Sequence, residues 1–325
     1  MYVIIFVYSV GDKIYSIVLK HLKKQMECHF LKVKESHIMN YTGKRVLTFS
    51  TLALAVTSAP YVAASTWSDT YIGYRYGTEF TEPNNSNHIQ KHVIQFTHAS
   101  GYAYGQNFLN VDLLQSDGND KANGSNKGAS EAYVTYRHQL HLGKVFDTDL
   151  SVGPVKEVAL SAGFDWNTKN TAFAPRKRLL LVGPTLKFDL PKGFADLSLF
   201  YAYEQNHCGL TPCGLPGNHN DISFDPYYVV SAAWGIPFTA GSLPMKFQGF
   251  ANYNGEKGKD YFNAETKPEI LTRSSLMLDV GQLAFNKQNT LWAGVGYEYW
   301  HNKFGNHGKP GTNTTAPTFQ VEWHF

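Results

Sequence analysis

The sequence predicts an all-β protein, a transmembrane antiparallel up-and-down β-barrel of about 12 strands, of the outer-membrane type. Three observations predict this fold. Apolar and polar residues alternate in successive segments from Thr66 onward. The connections between the segments alternate between long polar ones and shorter ones. The chain then ends on an alternating aromatic segment, "TFQVEWHF", whose last residue is Phe325.

Twelve segments show the alternation, which places successive side chains on opposite faces of a strand. One face is aliphatic or aromatic and the other is polar, as Leu109 and Val111 beside Asn110 and Asp112 illustrate. The segments are 68–80, 89–98, 104–115, 130–141, 154–166, 178–189, 194–205, 226–237, 245–254, 269–280, 290–301 and 317–325.

The connections differ between the two ends of the predicted sheet. Those after odd-numbered segments are long and polar, beginning with "TEPNNSNH" after the first, whereas those after even-numbered segments, such as "LPKG", are usually shorter; the one at 142–153 is longer. This asymmetry and an even strand number are typical of bacterial outer-membrane barrels. The alternative is a soluble sandwich or sugar-binding β protein, which also uses alternating strands.

The last segment explains how the barrel closes. Phe319, Val321, Trp323 and Phe325 share one face, which we expect to meet lipid. The backbone of this strand is expected to pair with the first strand, because hydrocarbon does not tolerate a free sheet edge. A terminal Phe is also typical of exported barrels, so the barrel-assembly machinery is an expected partner of the strand that ends at Phe325.

The N-terminal region predicts export. From Met39 the sequence reads "MNYTGKRVLTFSTLALAVTSAPYVAAS", with a basic start, a short apolar stretch and small residues before Ser65, in the order of a secretory signal peptide. We therefore assign 39–64 to a signal peptide, 1–38 to a mis-assigned extension and 65–325 to the barrel. A buried helix followed by a loop, and a genuine extension, are the alternatives.

Charge and hydropathy exclude some classes of protein. Of 29 basic and 26 acidic residues, eight basic and three acidic ones lie in 1–64, which leaves 21 and 23 in the rest of the chain. This nearly equal balance lacks the excess of basic residues that is typical of proteins that bind nucleic acid. The mean hydropathy is −0.30. No cofactor is expected.

Two cysteines of the predicted mature chain lie close together. Cys208 and Cys213 fall in a loop rich in Gly and Pro, which in an exported protein predicts a local disulfide. His207 and His219 nearby suggest zinc as the alternative, but the cysteine spacing is wider than usual and no second pair accompanies it.

The polar faces are predicted to line a narrow lumen, since twelve strands enclose less space than the wide porins. Acids outnumber arginines there, so the lumen is expected to disfavour anions unless basic loop residues compensate. Phe200, Tyr227 and Tyr133 add flat surfaces for stacking. The alternative role of the charges is internal ion pairing. The lumen candidates from alternation are Arg75, Glu79, Asp112, Glu131, Tyr133, Arg137, Glu157, Asp165, Asp196, Glu204, Arg273, Asp279 and Glu298.

Several stretches resemble the Tsx-like family of outer-membrane proteins, which comprises nucleoside-specific channels and "outer envelope protein" relatives. The stretches are "YRYGTEFTEP", "FTHASGYAYGQNFLNVDLLQSD", "DTDLSVGPVKE" and the final strand. The resemblance spans 66–325 and implies a twelve-stranded barrel, passive nucleoside uptake and, for some members, use as a phage or colicin receptor. It adds Lys156, beside Glu157, to the candidates. The cysteine loop departs from the family pattern, and the N-terminal half is closer to the envelope-protein branch.

These observations predict a channel for small hydrophilic solutes, such as nucleosides, in the outer membrane of a Gram-negative bacterium, in contact with lipid and lipopolysaccharide. A structural or adhesive surface protein is the second hypothesis. An outer-membrane hydrolase is the third, but His92, His98 and His138 come with no catalytic serine signature. We therefore do not expect an enzyme.

Overall fold

The computed structural model describes residues 65–325, and nearly all of its regular structure is β. The two short helices are α1 (Leu142–Phe146) and α2 (Val280–Phe285). The strands are β1 (Trp67–Glu82), β2 (Asn85–Tyr102), β3 (Gly105–Ser116), β4 (Ser130–His141), β5 (Val155–Lys169), β6 (Arg178–Phe188), β7 (Phe194–His207), β8 (Asp221–Ser223), β9 (Tyr227–Ala240), β10 (Leu243–Asn254), β11 (Glu269–Asp279), β12 (Leu291–His301) and β13 (Thr314–His324).

Twelve of the described strands form a closed antiparallel barrel. Each pairs with its neighbour along the chain, except that β8 is a short strand within a loop, so that β7 pairs with β9. The barrel closes where β1 pairs with β13, with Tyr74 opposite Val321. The predicted fold class and the pairing of the terminal strand with the first strand are therefore confirmed.

The connections lie at two ends, which we call the loop end and the turn end. The loop end carries 83–84, 117–129, 170–177, 208–226, 255–268 and 302–313, and the turn end carries the other connections and both ends of the described chain. The prediction of a long first loop at "TEPNNSNH" is wrong, because β1 and β2 continue through it. Only Pro83 and Asn84 lie between them, and Asn84 adopts a positive φ of 64° that a tight turn requires.

The outward face of the barrel is apolar. Exposed aliphatic side chains lie along the middle of the strands, as at Leu276 and Val295, which are paired neighbours on β11 and β12. Exposed aromatic residues lie near both ends of the strands: Tyr203, Tyr228, Tyr253 and Tyr299 at the loop end, and Trp67, Phe194, Phe238, Trp323 and Phe325 at the turn end. Two aromatic girdles around an apolar band are the outer surface that a membrane barrel presents to lipid.

Among residues 65–325, no helix is long and apolar enough to cross a membrane. The predicted extension at 1–38 and the predicted signal peptide at 39–64 lie outside the described residues and stay predictions.

Candidate solute passage

The inward face of the barrel is largely polar, and its side chains fill much of the interior. Alternation along each strand turns one side chain in two toward the lumen. Buried inward residues include Arg75, Thr185, Glu204 and Glu298. The interior is therefore a crowded network rather than a wide aqueous pore.

An ion-pair network crosses the middle of the lumen. Arg273 on β11 donates from Nε and Nη2 to Glu298 Oε2, at 3.0 and 2.8 Å, on the adjacent strand β12. Its Nη1 lies 3.5 Å from Asp112 Oδ2 on β3, and Arg75 Nη2 lies 3.3 Å from the same oxygen. Because β11 and β3 are on nearly opposite walls, these contacts span the lumen and narrow it. We call Arg75, Asp112, Arg273 and Glu298 the central network.

A second group of polar residues continues along the wall beside Asp112. Tyr133 on β4 is the register partner of Asp112, and its hydroxyl donates to Asp165 Oδ2 at 3.0 Å. Arg137 pairs with the other oxygen of Asp165 at 2.7 Å. The Arg273 guanidinium also lies 5.5 Å from the centroid of the Phe250 ring on β10. The lumen wall at this level thus combines arginines with aromatic surfaces.

Buried lysines close the lumen toward the loop end. Glu82 Oε1 accepts from Lys91 Nζ at 2.6 Å and from Lys169 Nζ at 3.1 Å, while Glu82 Oε2 lies 3.3 Å from Lys303 Nζ. Lys169 also lies 2.8 Å from Asp120. Lys303 belongs to the loop 302–313, and burial lowers its pKa, an effect that the attraction of Glu82 only partly offsets.

The loops after β7 and β10 form an apolar cap above the lumen. Cys208 and Cys213 form a disulfide that is fully buried beside Tyr261, whose ring packs edge-on against Phe173 and Phe224. We call this group the cap cluster. Beneath it, Glu204 accepts from Lys257 at 2.9 Å and from the Tyr227 hydroxyl at 2.7 Å.

The six connections at the loop end are joined in a ring of hydrogen bonds. Gly311 allows the close approach of 302–313 to the first turn, since a Cβ there would lie 2.1 Å from two backbone oxygens. The ring holds the six connections to one another around this end of the barrel, where the cap cluster lies over the lumen. Its bonds are Asn84 N to Pro310 O, Asn85 Nδ2 to Asn119 O, Asn123 N to Asn170 O, Gly209 N to Phe173 O, Asp225 N to Lys257 O and Lys267 N to Gly305 O.

Three of the remaining sequence candidates face the interior without joining the central network. Glu131 is half-buried and accepts from Asn167 Nδ2. Glu157 lies near the turn end, where its Oε1 accepts from the backbone N–H of Gly143 in α1. Asp196 pairs there with Lys187 at 2.8 Å. These contacts are ion pairs and caps within the barrel.

Glu79 and Lys156 need correction, whereas Asp279 has the predicted inward position but another role. Glu79 lies on the outer face, because a β-bulge between Gly77 and Phe80 shifts the alternation of side chains. There its Oε2 lies 2.5 Å from His88 Nδ1. Asp279 is turned inward, but its carboxylate accepts from the backbone N–H groups of Gln282 and Asn289 and caps α2.

Lys156 is the second corrected position. It lies at the irregularity between Val155 and Glu157 on β5 and is exposed, and it forms no side-chain contact with any residue that the structure describes. The structure thus gives no support to a place for Lys156 in the lumen network.

Sequence reasoning missed the lysines of the interior. Lys91 and Lys187 share the inward parity of Gln95 and Thr185, so alternation could have identified them. Lys257 and Lys303 lie in loops, where no periodic signal exists. With these residues included, the lumen carries many cations, among them the basic loop residues that the sequence expectation named as possible compensation for the acids. In the pairs of the central network, the arginine Arg273 is more accessible than its acids.

The histidines considered for hydrolysis lie on the outer face. His92 bonds to the Tyr74 hydroxyl, His98 to Thr70 and His138 to Asn107. Within residues 65–325, no group of histidine, cysteine and acidic residues has the arrangement of a metal site.

Comparisons with known proteins give no family for this chain. No protein-family model and no curated protein matches the chain. Among solved structures, it is similar to the KdgM porin (10% identity, 78% of this chain and 99% of that one, TM-score 0.38). It is also similar to the NanC porin, with 9% identity over 79% of this chain and 99% of that one and a TM-score of 0.39. A third similar structure is the translocator domain of the autotransporter NalP from Neisseria meningitidis, with 12% identity over 84% of this chain and 92% of that one and a TM-score of 0.43. At these values the likenesses carry no argument about function.

Proposed function

We propose that the protein is an outer-membrane channel for the passive diffusion of small hydrophilic solutes. The observation that carries the proposal is the central network, in which Arg273 reaches Asp112 across a closed barrel with an apolar outer surface. Charged groups at such a depth are costly to bury, and in membrane proteins they are typical of solute or ion pathways. The closed sheet and aromatic girdles support an outer-membrane location in a Gram-negative bacterium.

Nucleosides are the solutes that we propose first, because the chain resembles the Tsx-like family in "TDLSVGPVKE" and the other stretches quoted above. Aromatic rings along the wall fit this proposal. Tyr133 and Phe250 lie next to the arginines of the lumen, and a base stacked on such a ring gains about 1–3 kcal/mol. Binding of this size concentrates a solute but still releases it.

Passage requires that the loop end opens. The hydrogen-bonded ring holds the connections to one another and the cap cluster lies over the lumen, so solute entry depends on movement of 208–226 and 255–268. The same interlocked loops favour a second function, a surface platform that binds phages, colicins or other cell-surface partners without selective transport. Interlocked loops hold a fixed shape, which is what a receptor surface needs.

Liposome swelling tests the proposal. Residues 65–325 should be reconstituted into liposomes, which are then diluted into isotonic nucleoside or into isotonic sugar of similar mass. We expect faster swelling with nucleosides than with sugars, and none in empty liposomes. Equal rates would contradict the nucleoside preference alone. No swelling with any solute would contradict the channel and favour the surface platform.

A further inference from the structure

We propose that the passage prefers small organic anions that bear a carboxylate or a phosphate, and that Arg137 is their contact in the wall. This inference rests on the proposed channel function and not on the nucleoside preference, because nucleosides carry neither group; it names a different class of solute. It differs from the expectation drawn from the count of acids and arginines, because that count did not consider which charges stay accessible.

In the more accessible ion pairs of the lumen the cation is the more exposed partner, whereas in the deeply buried pairs of Arg75 and of Glu82 the acid is. The Arg273 side chain is 25% exposed, whereas its partners Glu298 and Asp112 are 4% and 6% exposed. Arg137 is 23% exposed and its partner Asp165 is 12% exposed. A solute in the lumen therefore meets guanidinium groups, with the carboxylates behind them.

The same order holds for two lysines farther along the interior. Lys246 is 18% exposed and its partner Glu322 is 3% exposed. Lys177 is 16% exposed, against 3% for Glu204. Glu131 is an acid that is half-buried on the same face, and one of its oxygens is already bound by Asn167. The accessible surface is thus positive although the pairs themselves are neutral, and cationic walls favour anions.

Arg137 has an unused edge that fits an anion. Its Nη1 donates to the carbonyl oxygens of Tyr136 at 2.8 Å and Phe164 at 3.0 Å, and it also pairs with Asp165. Its Nε and Nη2 contact no other group among the described residues, and neither atom is fully buried. Two parallel N–H groups on one edge of a guanidinium bind a carboxylate or a phosphate in a bidentate manner.

Arg273 adds positive charge to the passage but does not take the place of Arg137 as the contact for an anion. All three of its nitrogens are already engaged, by Glu298 and Asp112, so it supplies charge rather than free donors. Passing anions would therefore be attracted by both arginines and bound by Arg137. Because Asp165 pairs with Arg137, the Nε and Nη2 edge of the guanidinium stays oriented when no solute is bound.

The reversal potential in a potassium chloride gradient tests this inference. Wild-type 65–325 in a planar bilayer should be more permeable to chloride than to potassium, and sodium acetate and sodium phosphate should each block the chloride current. Arg137→Gln should lower the chloride-to-potassium permeability ratio about fivefold, as expected for loss of one nearby charge. Arg178→Gln, which removes an exposed arginine at the start of β6, is the matched control and should leave the ratio unchanged.

The outcomes separate the two proposals. A wild-type channel that prefers potassium, or an Arg137→Gln variant with an unaltered ratio, would overturn the anion preference and leave the channel standing. A wild type without any current would overturn the channel and this inference with it. If Arg137→Gln does not assemble, Arg137→Lys provides the test: it should keep the chloride preference but lose most of the block by acetate and phosphate, since lysine lacks the fork. Unchanged block in Arg137→Lys would overturn the role of Arg137.

Discussion

Arg273 and Asp112 form an ion pair across the interior of the barrel, with Nη1 3.5 Å from Oδ2. Four strands separate β11 from β3 on one side of the barrel and six on the other. A contact between such distant strands divides the lumen at this level. Arg273 is therefore the residue whose removal should change the passage most.

The first prediction concerns this division of the lumen. The double substitution Arg273→Met with Glu298→Gln should enlarge the single-channel conductance, because the side chain no longer reaches Asp112. Asp112 keeps Arg75 as its partner, and Glu298 loses its charge together with its arginine. The single variant Arg273→Met leaves Glu298 without its arginine and should cost about 3–5 kcal/mol of unfolding free energy. Single-channel recording and urea unfolding in lipid vesicles measure the two effects. Unchanged conductance in the double variant would show that the pair does not limit the passage.

The second prediction concerns the cap cluster. Tyr261 packs against Phe173 and Phe224 beside the disulfide, so Tyr261→Ala should loosen the loops 208–226 and 255–268. We expect faster trypsin cleavage at the loop lysines and a longer open time in current recordings. Phe262→Ala is the control, since Phe262 is the exposed neighbour in the same loop. Equal cleavage and equal open times in both variants would argue against the cap as a barrier.

The third prediction concerns the buried lysines around Glu82. Glu82→Gln removes the charge that three ammonium groups share, and among the described residues only Lys169 of the three keeps another acidic partner, Asp120. We therefore expect a loss of about 3–5 kcal/mol of unfolding free energy. Lys303→Met should cost much less, because Glu82 keeps Lys91 and Lys169. Urea unfolding of both variants measures the difference. Equal losses would show that Lys303 is as necessary as its acid.

Lys303 also predicts a dependence on pH. Burial places its folded pKa below the value of about 10.4 of an unperturbed lysine. Between these two pKa values the unfolded chain binds more protons, so this group makes the folded protein more stable as the pH rises through the window. The Lys303→Met variant should lack this rise of folding stability with pH. An identical pH profile of stability in wild type and variant would contradict the effect of burial on Lys303.

The fifth prediction concerns the outer surface. Val295 lies in the apolar band, paired with Leu276 and Phe319, which are also exposed. Val295→Lys should cost about 2–4 kcal/mol of folding free energy in a bilayer, as a charge near the midplane does. Leu215→Lys, at an exposed residue of the loop end, should cost little. Similar costs at the two sites would mean that Val295 does not face lipid.

Strand positions were predictable from the sequence because one face meets an apolar surface and the other a polar one. The alternation held wherever a strand was regular, and it failed at Glu79, where one extra residue in a β-bulge turns the following side chains over. Gly77, at the start of the bulge, is a weak local signal, since an isolated glycine within a strand is compatible with a bulge, but Gly73 of the same strand has none. Asp279 shows another limit, since its inward position was predictable but its role as a cap of α2 depends on the turn that follows.

The contents of the lumen were less predictable than the wall. Lys257 and Lys303 come from loops that fold inward, and loop paths depend on contacts between distant parts of the chain. The accessibility of Arg137 and Arg273 relative to their acids also depends on packing across the barrel. Counting charges on the strands therefore could not give the sign of the accessible surface.

Current recording with substituted cysteines tests most directly whether solute crosses through the lumen. Phe250→Cys places a thiol beside Arg273, and Phe247→Cys places one on the exposed outer face of the same strand. The native cysteines of 65–325 are joined to each other and do not react. We predict that a charged thiol reagent reduces the current of Phe250→Cys and leaves that of Phe247→Cys unchanged. Absence of current steps, or equal responses of the two variants, would contradict passage through the barrel.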